Sequence, residues 1–460
     1  MKRRISLEES LKEIVRSRMG QTLEYQNLIE KEKVEKINSN DFEEFQLFQL
    51  RKTLDYVYEK SFFYRELFDK RGIRPGEIHS LADLSKLPLT EPADLAEKPL
   101  SFLCIPVGDA VRAITFTSSG TTGPQKRIFF SEKDIEVMID FMAAGMRVVA
   151  TCDDVVQIIL PRGPVLGQAD LLSRGITKMG AKPVNIGTEP TPEEQIQQIV
   201  KNNSTILFCE TLRLNRISVE TKDKYNLANL GVKILFLTSN YLSRSMRANV
   251  QTIWNCEIFA HYGLTEMGLG VAVECPAHNG YHFNEVDLLA EIIDPKTGEV
   301  LGDGEEGELV FTTLNREAMP LIRYRTHDLC KLDTKPCECG ATVLKKLDWI
   351  KRRTESVIKI GEGDEIYPAI FDEALYAIPN IVDYEVSIKY DRGKHSLFFQ
   401  VEINKKEERI AEEVREAILE IPAVKKNIKI GKMTIPTIEL VNLGSLKKNT
   451  RAKKLIRLFN

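Results

Sequence analysis

Between residues 154 and 263 the chain alternates two kinds of segment. The runs DVVQIIL, AKPVNIG, STILFCE, NLGVKILFLTS and CEIFAHYG are short and mostly apolar, while QADLLSRGITKMG and EQIQQIVKNN are amphipathic with helical spacing. Runs this short and this apolar read as strands covered on both faces, and the amphipathic segments between them read as covering helices, so a mostly parallel α/β sheet is predicted. From about 286 the pattern changes. The stretch DLLAEIIDPKTGEVLGDGEEGELVFTTL holds two extended runs broken by turn-rich DPKTG and DGEEG, which points to an antiparallel, small barrel-like part. A charge-rich stretch, 346–355, then precedes a mixture of helical (AIFDEALYAIP, ERIAEEVREAILEI) and extended (DYEVSIKY, LFFQVEI, TIELVNL) runs. The expected organisation is a large α/β region of several subdomains, 1–352, followed by a small mobile α+β domain, 353–460. Near the start, LEESLKEIVRSRM and FQLFQLRKTLDYVYEKSFFYRELFDKRG each read as one amphipathic helix, the second with Leu47, Leu50, Leu54 and Val57 near one face.

The segment Thr115-Phe116-Thr117-Ser118-Ser119-Gly120-Thr121-Thr122-Gly123-Pro124-Gln125-Lys126 concentrates hydroxyl donors, flexible backbone and one ammonium. Turn amides, hydroxyls and a point charge are what a polyphosphate needs from a protein. The spacing Gly-x-x-Gly-x-x-Lys differs from that of a P-loop. After it, Arg127 to Phe130 reads as a strand, and Ser131 as the N-cap of a helix with Asp134 near its amide end.

Two further motifs carry chemistry. His261-Tyr262-Gly263-Leu264-Thr265-Glu266 follows a strand-like run, where open α/β sheets collect their ligands, and its carboxylate is the hard oxygen ligand that magnesium prefers. In Tyr324-Arg325-Thr326-His327-Asp328, the aspartate is able to accept both hydroxyl protons of a ribose. Separately, Cys275 with His278 or His282, and Cys337 with Cys339, form two pairs of soft or borderline ligands about sixty residues apart, enough for a four-ligand structural zinc site if the fold joins them. The spacing Cys-x2-His favours His278.

Taken in order, these motifs resemble the adenylate-forming enzymes, and most closely the branch of phenylacetate-CoA ligases and coenzyme F390 synthetases. The resemblance implies that the 117–126 loop, through Thr117, Ser118, Ser119, Gly120, Thr121, Thr122, Gly123 and Lys126, positions ATP phosphates. It places Tyr262 on the adenine side, Gly263 among the nucleotide-binding residues, Thr265 at a phosphate, Glu266 at magnesium, Asp328 at the ribose and Arg325 nearby. His327 stands where the common pattern has glycine or a small or charged residue, and Gly307-Glu308-Leu309 resembles a structural motif with a turn role. Arg353 and Glu355, continued by Lys359 and Gly361, resemble the hinge about which a C-terminal domain rotates. Lys453, or Lys454, would be the lysine of the adenylation step. Likeness around Gly-Tyr-His brings His282 forward as a zinc ligand. Residues 162–167 and 238–242 are candidate pocket walls, with Asn240 in place of a charged residue.

The activity so implied is ATP-dependent acid:CoA ligation through an acyl-adenylate, with an aromatic acid such as phenylacetate, ATP and CoA as substrates, and Mg2+ and Zn2+ as metals. AMP transfer to a cofactor, or a noncatalytic nucleotide sensor, are the alternatives. With 64 basic and 67 acidic residues among 460, the chain has no general excess of positive charge for nucleic acid. It has no run of about eighteen apolar residues for a membrane span. Its eight cysteines are too few for a disulfide scaffold of this length, so a cytoplasmic protein is expected. A homodimer is compatible with the sequence, which leaves the oligomeric state open.

Overall fold

The computed structural model describes residues 3–19, 37–117, 125–405, 409–446 and 455–458. The described residues divide into two compact units: Met1–Asp153, Gly163–Lys182 and His261–Trp349 form the first, and Asp154–Arg162, Pro183–Ala260 and Ile350–Asn460 the second. Among them, no helix is long and apolar enough to cross a membrane.

In the first unit, the N-terminal helix Leu7–Met19 is as expected, but the next run forms two helices, Ser39–Lys60 and Phe62–Arg71. Ser61 makes the break. Its extended backbone donates N–H to the Val57 carbonyl at 2.9 Å, ending one helix, while its hydroxyl accepts the Tyr64 N–H at 3.4 Å, opening the next. The residue is both stop and cap. Leu50, Leu54 and Val57 are fully buried on the predicted face, and Leu47 is half-buried.

Strands Arg112–Thr117 and Gln125–Phe130 form an antiparallel hairpin, joined by residues 118–124. The helix Glu132–Val149 follows with the expected start: the Ser131 hydroxyl accepts the Asp134 N–H at 3.2 Å, and the Asp134 carboxylate accepts the Ser131 N–H at 3.0 Å. Aspartate thus closes the box more often completed by glutamate. The same carboxylate takes the N–H groups of Glu317 and Ala318 at 2.7 and 2.9 Å, tying the helix to the 314–318 connection.

The antiparallel part begins before the expected residue 286: it runs through Leu288–Ile293, Glu306–Thr313, Tyr324–Asp333, Lys346–Leu347, Tyr281–Phe283 and Ala272–Glu274, to the end of Glu257–Tyr262. Gly307-Glu308-Leu309 lies within a strand, not the turn expected from its family likeness. A Cβ at Gly307 would lie 2.3 Å from the Ile293 carbonyl oxygen, so the neighbouring strand fixes the glycine. The Tyr324–Asp333 strand carries a bulge. Glu308 faces Leu329 and Val310 faces Arg325, so two extra residues are accommodated around 326–328. Bulges re-aim side chains, and this one contains Asp328.

In the second unit, Val155–Ile159, Ile206–Glu210, Ile234–Thr238 and the start of Glu257–Tyr262 pair in parallel, as the alternating sequence implied. Val155–Ile159 is buried except at its half-buried first residue, and Ile206–Glu210 and Ile234–Thr238 are buried throughout. The last part contributes a sheet in which Lys394–Ile403 and Ile381–Asp391 are antiparallel neighbours, flanked by Thr437–Val441 and Leu455–Leu458, with helices Pro368–Leu375, Ile410–Leu419 and Pro422–Lys429. Polar contacts seat it. Glu373 accepts the N–H groups of Arg244 and Ser245 at 3.1 and 3.2 Å and the Tyr241 hydroxyl at 2.8 Å, so it caps the Arg244–Trp254 helix.

Candidate functional site

Lys126 follows the loop on the second hairpin strand, opposite Phe116. It is 5% exposed, and its ammonium lies 5.1 Å from the centre of the Phe116 ring and 5.8 Å from that of Tyr324. A desolvated lysine in aromatic surroundings needs an anionic or hydrogen-bonding partner. It has both: the ammonium donates to Glu266 Oε1 and, at 3.0 Å, to the Tyr324 hydroxyl. That hydroxyl in turn donates to the same Glu266 oxygen at 2.8 Å. Glu266, 3% exposed, sits on the single turn Thr265–Met267, whose Glu266 carbonyl accepts from Arg316 Nη1 at 3.2 Å. Tyr324 belongs to the third motif, but its sequence gave no sign of this role because a strand tyrosine reads equally as core.

The bulge turns Asp328 towards the second motif. The Tyr262 hydroxyl donates to Asp328 Oδ2 at 2.6 Å, and the Thr326 hydroxyl accepts the Asp328 N–H at 3.1 Å while donating to the Leu309 carbonyl at 2.7 Å. His327 adopts φ 63°, the left-handed region that glycine enters most easily, which gives a physical reason for glycine in the common pattern. Histidine is held there by Glu308, whose Oε1 accepts the His327 N–H at 3.1 Å and lies 3.1 Å from its Nδ1. Arg325 Nε lies 3.1 and 3.2 Å from the two Glu308 oxygens, and its Nη2 also bonds Glu308. Burial alone would raise the Glu308 carboxyl; His327 and Arg325 outweigh it and hold the group down at about 2. Arg325 also reaches Glu91 Oε1 at 3.1 Å and the Pro295 carbonyl at 2.9 Å. Its guanidinium therefore braces the bulge beneath Asp328.

Tyr262, Gly263, Thr265, Glu266, Arg325, Asp328 and Lys126 all belong to the first unit, although the sequence separates them by some two hundred residues. Thr265 is half-buried on the Glu266 turn. His261, just before Tyr262, is pushed down by burial to about 4 and is neutral near pH 7. Lys359 lies in the second unit, exposed on the short strand Ile358–Ile360. Ser118, Ser119, Gly120, Thr121, Thr122, Gly123, Lys453 and Lys454 lie outside the described residues, and Thr117 is described only as the end of its strand. A Cβ on Gly263 would lie 2.4 Å from the Leu269 carbonyl oxygen, which closes the turn carrying Thr265 and Glu266. Gly263→Ala is expected to cost about 1–3 kcal/mol of stability through overpacking, measured as a lower Tm, together with weaker nucleotide binding.

The fold also joins the two soft-ligand pairs. One ligand atom each from Cys275, His282, Cys337 and Cys339 lies within 4.8 Å of every other. The Cys275 and Cys337 sulfurs are 3.7 Å apart, close to the roughly 3.8 Å that tetrahedral zinc with bonds of about 2.3 Å imposes. His282 Nδ1 is 2.9 Å from the Lys345 carbonyl, which leaves Nε2, 3.3 Å from Cys339 Sγ, facing the cluster. His278, offered by sequence spacing, is not gathered in. It adopts φ 51°, and its Nδ1 lies 2.8 Å from Glu274 Oε1. The selection comes from strand register: His282 pairs with Lys346, on the strand that follows the Cys337 loop. Two buried carboxylates fix that loop. Glu8 Oε2 accepts the N–H groups of Thr342, Val343 and Leu344 at 2.8, 2.8 and 3.2 Å, and Glu285 accepts that of Lys345. Neither carboxylate was singled out in the sequence.

Residues 69–315, more than half of the 460, match a family described as AMP-binding enzyme. The chain belongs to the AMP-binding enzyme family. This AMP-binding enzyme is 31% identical to the phenylacetate-coenzyme A ligase of Aromatoleum evansii, with 91% of this chain and 96% of the relative covered. It is 29% identical to the phenylacetate-coenzyme A ligase of Thermus thermophilus over 83% and 87% of the respective chains. A solved 2-hydroxyisobutyryl-CoA ligase, in its postadenylation state with R3-HIB-AMP, shares the fold with a TM-score of 0.79 at 19% identity, covering 92% of this chain and 90% of its own. The mixed α/β architecture is thus that of adenylate-forming enzymes.

Proposed function

We infer that this AMP-binding enzyme is an ATP-dependent, AMP-forming acid:CoA ligase acting on an aromatic acid such as phenylacetate. The observation that carries the reading is the convergence, in one compact unit, of Lys126, Tyr262 with Glu266, and Asp328 from three separate stretches, with direct hydrogen bonds from Lys126 to Glu266 and from Tyr262 to Asp328. The names of the curated relatives supply the acid and the thiol.

In the first step a carboxylate oxygen of the acid attacks the α-phosphorus, the bond to the bridging oxygen breaks, and pyrophosphate leaves. In the second, the CoA thiol attacks the acyl carbon, AMP leaves with the bonding pair, and the thiol proton is lost to solvent. Asp328 would accept the ribose hydroxyls, its carboxylate already oriented by the Tyr262 hydroxyl and its backbone N–H held by Thr326. Lys126 would neutralise phosphate charge, and Thr265 would contact phosphate from the Glu266 turn. Glu266 offers the hard oxygen that suits magnesium, which when bound screens the charge of the polyphosphate. Lys453 is proposed to steady the developing negative charge of the adenylation step. Lys359 would meet the nucleotide after movement of residues 353–460 as a body, which would exchange the Glu373 cap and its companion contacts for new ones.

Cys275, His282, Cys337 and Cys339 are proposed to hold zinc. Four protein ligands leave no open position, so the metal would fix the loop that returns to the Tyr281–Phe283 strand, without a part in the chemistry. Elemental analysis is expected to find about one zinc per wild-type chain and, after Cys337→Ser with Cys339→Ser, less than about a tenth of that. Wild-type protein that is folded and zinc-free would overturn the metal assignment.

Incubation with ATP, Mg2+ and phenylacetate should give acyl-adenylate and pyrophosphate, and addition of CoA should give AMP and phenylacetyl-CoA by mass spectrometry. An adenylate that forms and never passes to CoA would remove the ligase reading.

A further inference from the structure

The carboxylate assigned to magnesium is already engaged by side chains of this chain. Lys126 and Tyr324 both bond Glu266 Oε1, and all three side chains are buried, at 5%, 1% and 3% exposure. Neither charge of a buried pair is easily abandoned: the ammonium beside Phe116 and Tyr324 and the carboxylate on the Thr265–Met267 turn are both largely withdrawn from solvent, so either one alone would carry a desolvation cost. The pair can open only if both ions receive new partners together. A metal–polyphosphate supplies both, a cation for Glu266 and an anion for Lys126. Each alone supplies one.

We propose that Lys126 occludes the metal carboxylate in the free enzyme, that entry of the metal–nucleotide exchanges Lys126 onto phosphate and Glu266 onto the cation in one coupled event, and that Tyr324 is the pivot positioning Glu266 through the exchange. The proposal rests on the reading of Glu266 as the magnesium residue. Tyr324 suits the part because its hydroxyl has both directions in use, accepting from Lys126 at 3.0 Å and donating to Glu266 at 2.8 Å. When the ammonium leaves, the donated bond remains, and the carboxylate keeps its orientation without help from the loop. A consequence is that a divalent cation offered without nucleotide binds poorly, because it must evict a buried lysine.

The test uses the full chain without nucleotide, titrated with Mn2+ as a paramagnetic stand-in for Mg2+ and followed by electron paramagnetic resonance. Lys126→Met removes the competing charge and is expected to tighten Mn2+ binding by about tenfold or more. Tightening should vanish when Glu266→Gln is added. Lys126→Gln, which keeps a hydrogen-bond donor, serves the same purpose if the methionine variant is insoluble. Equal Mn2+ affinity in the wild type and the Lys126 variants overturns the occlusion. Failure of the underlying reading looks different: Glu266→Gln alone would then leave the affinity for Mn–ATP unchanged. For the pivot, Tyr324→Phe is expected to raise the KM for MgATP by about five- to tenfold with a smaller change in kcat. A purely structural tyrosine would lower Tm and leave that KM unmoved, which would reject the positioning role.

Discussion

Asp328→Ala is expected to lower acid-dependent pyrophosphate exchange by about 10²–10⁴-fold, the sum of two hydrogen bonds from a charged acceptor at roughly 1.5–3 kcal/mol each. The carboxylate is buried, fixed by the Tyr262 hydroxyl at 2.6 Å and by its own N–H on Thr326, and lies on a bulge that aims it away from the regular strand face. Asp328→Asn keeps one acceptor oxygen and should fall between alanine and wild type. The loss should appear equally with ATP and with 2′-deoxy-ATP if Asp328 only braces Tyr262. It should be smaller with 2′-deoxy-ATP if the carboxylate binds the ribose diol, since part of the interaction is then already missing.

The second large effect is on stability. Glu308→Gln is expected to cost about 3–5 kcal/mol, because it leaves the guanidinium of Arg325 and the ring of His327 against a neutral amide in a buried setting. Arg325 retains Glu91, which is partly exposed and compensates weakly. The sign of the pH dependence follows from the depressed carboxyl. Its folded value, about 2, lies below the ordinary 4.5, so its contribution to stability is complete above about pH 4.5 and is lost as pH falls through about 2. Denaturant titrations across that range should show a steep acid limb in the wild type that is shallower in Glu308→Gln. Equal acid limbs would show that the Glu308–Arg325–His327 cluster does not stabilise the fold. The substitution should also weaken nucleotide binding, since the bulge that aims Asp328 hangs on Glu308 through the His327 N–H.

Much of this was legible in the residues. Apolar runs between 155 and 262 became parallel strands because strands covered on both faces leave a signature that needs no tertiary information. The order of the three nucleotide motifs placed Lys126, Glu266, Tyr262 and Asp328 in one reading, and all four fall in one unit. The failures share a cause, which is that distant partners decided them. Periodicity runs unbroken through Ser61, so the helix break depended on a hydroxyl satisfying Tyr64. Spacing favoured His278, whereas strand pairing with Lys346 selected His282. Tyr324 and Glu308 stood inside quoted motifs, but a strand tyrosine and a strand glutamate acquire meaning only when the ion pair facing them is known.

On the proposed function, one unit of this chain holds a nucleotide for attack by an acid at the α-phosphorus. Exchange of labelled pyrophosphate into ATP, run over a panel of aryl and short-chain acids with Mg2+ and without CoA, tests it most directly. Acid-dependent exchange is expected, strongest with phenylacetate or a close aryl relative and lowered by about 10²–10⁴-fold in Asp328→Ala. ATP binding with no exchange for any acid, or exchange that responds only to a reduced deazaflavin, would contradict it.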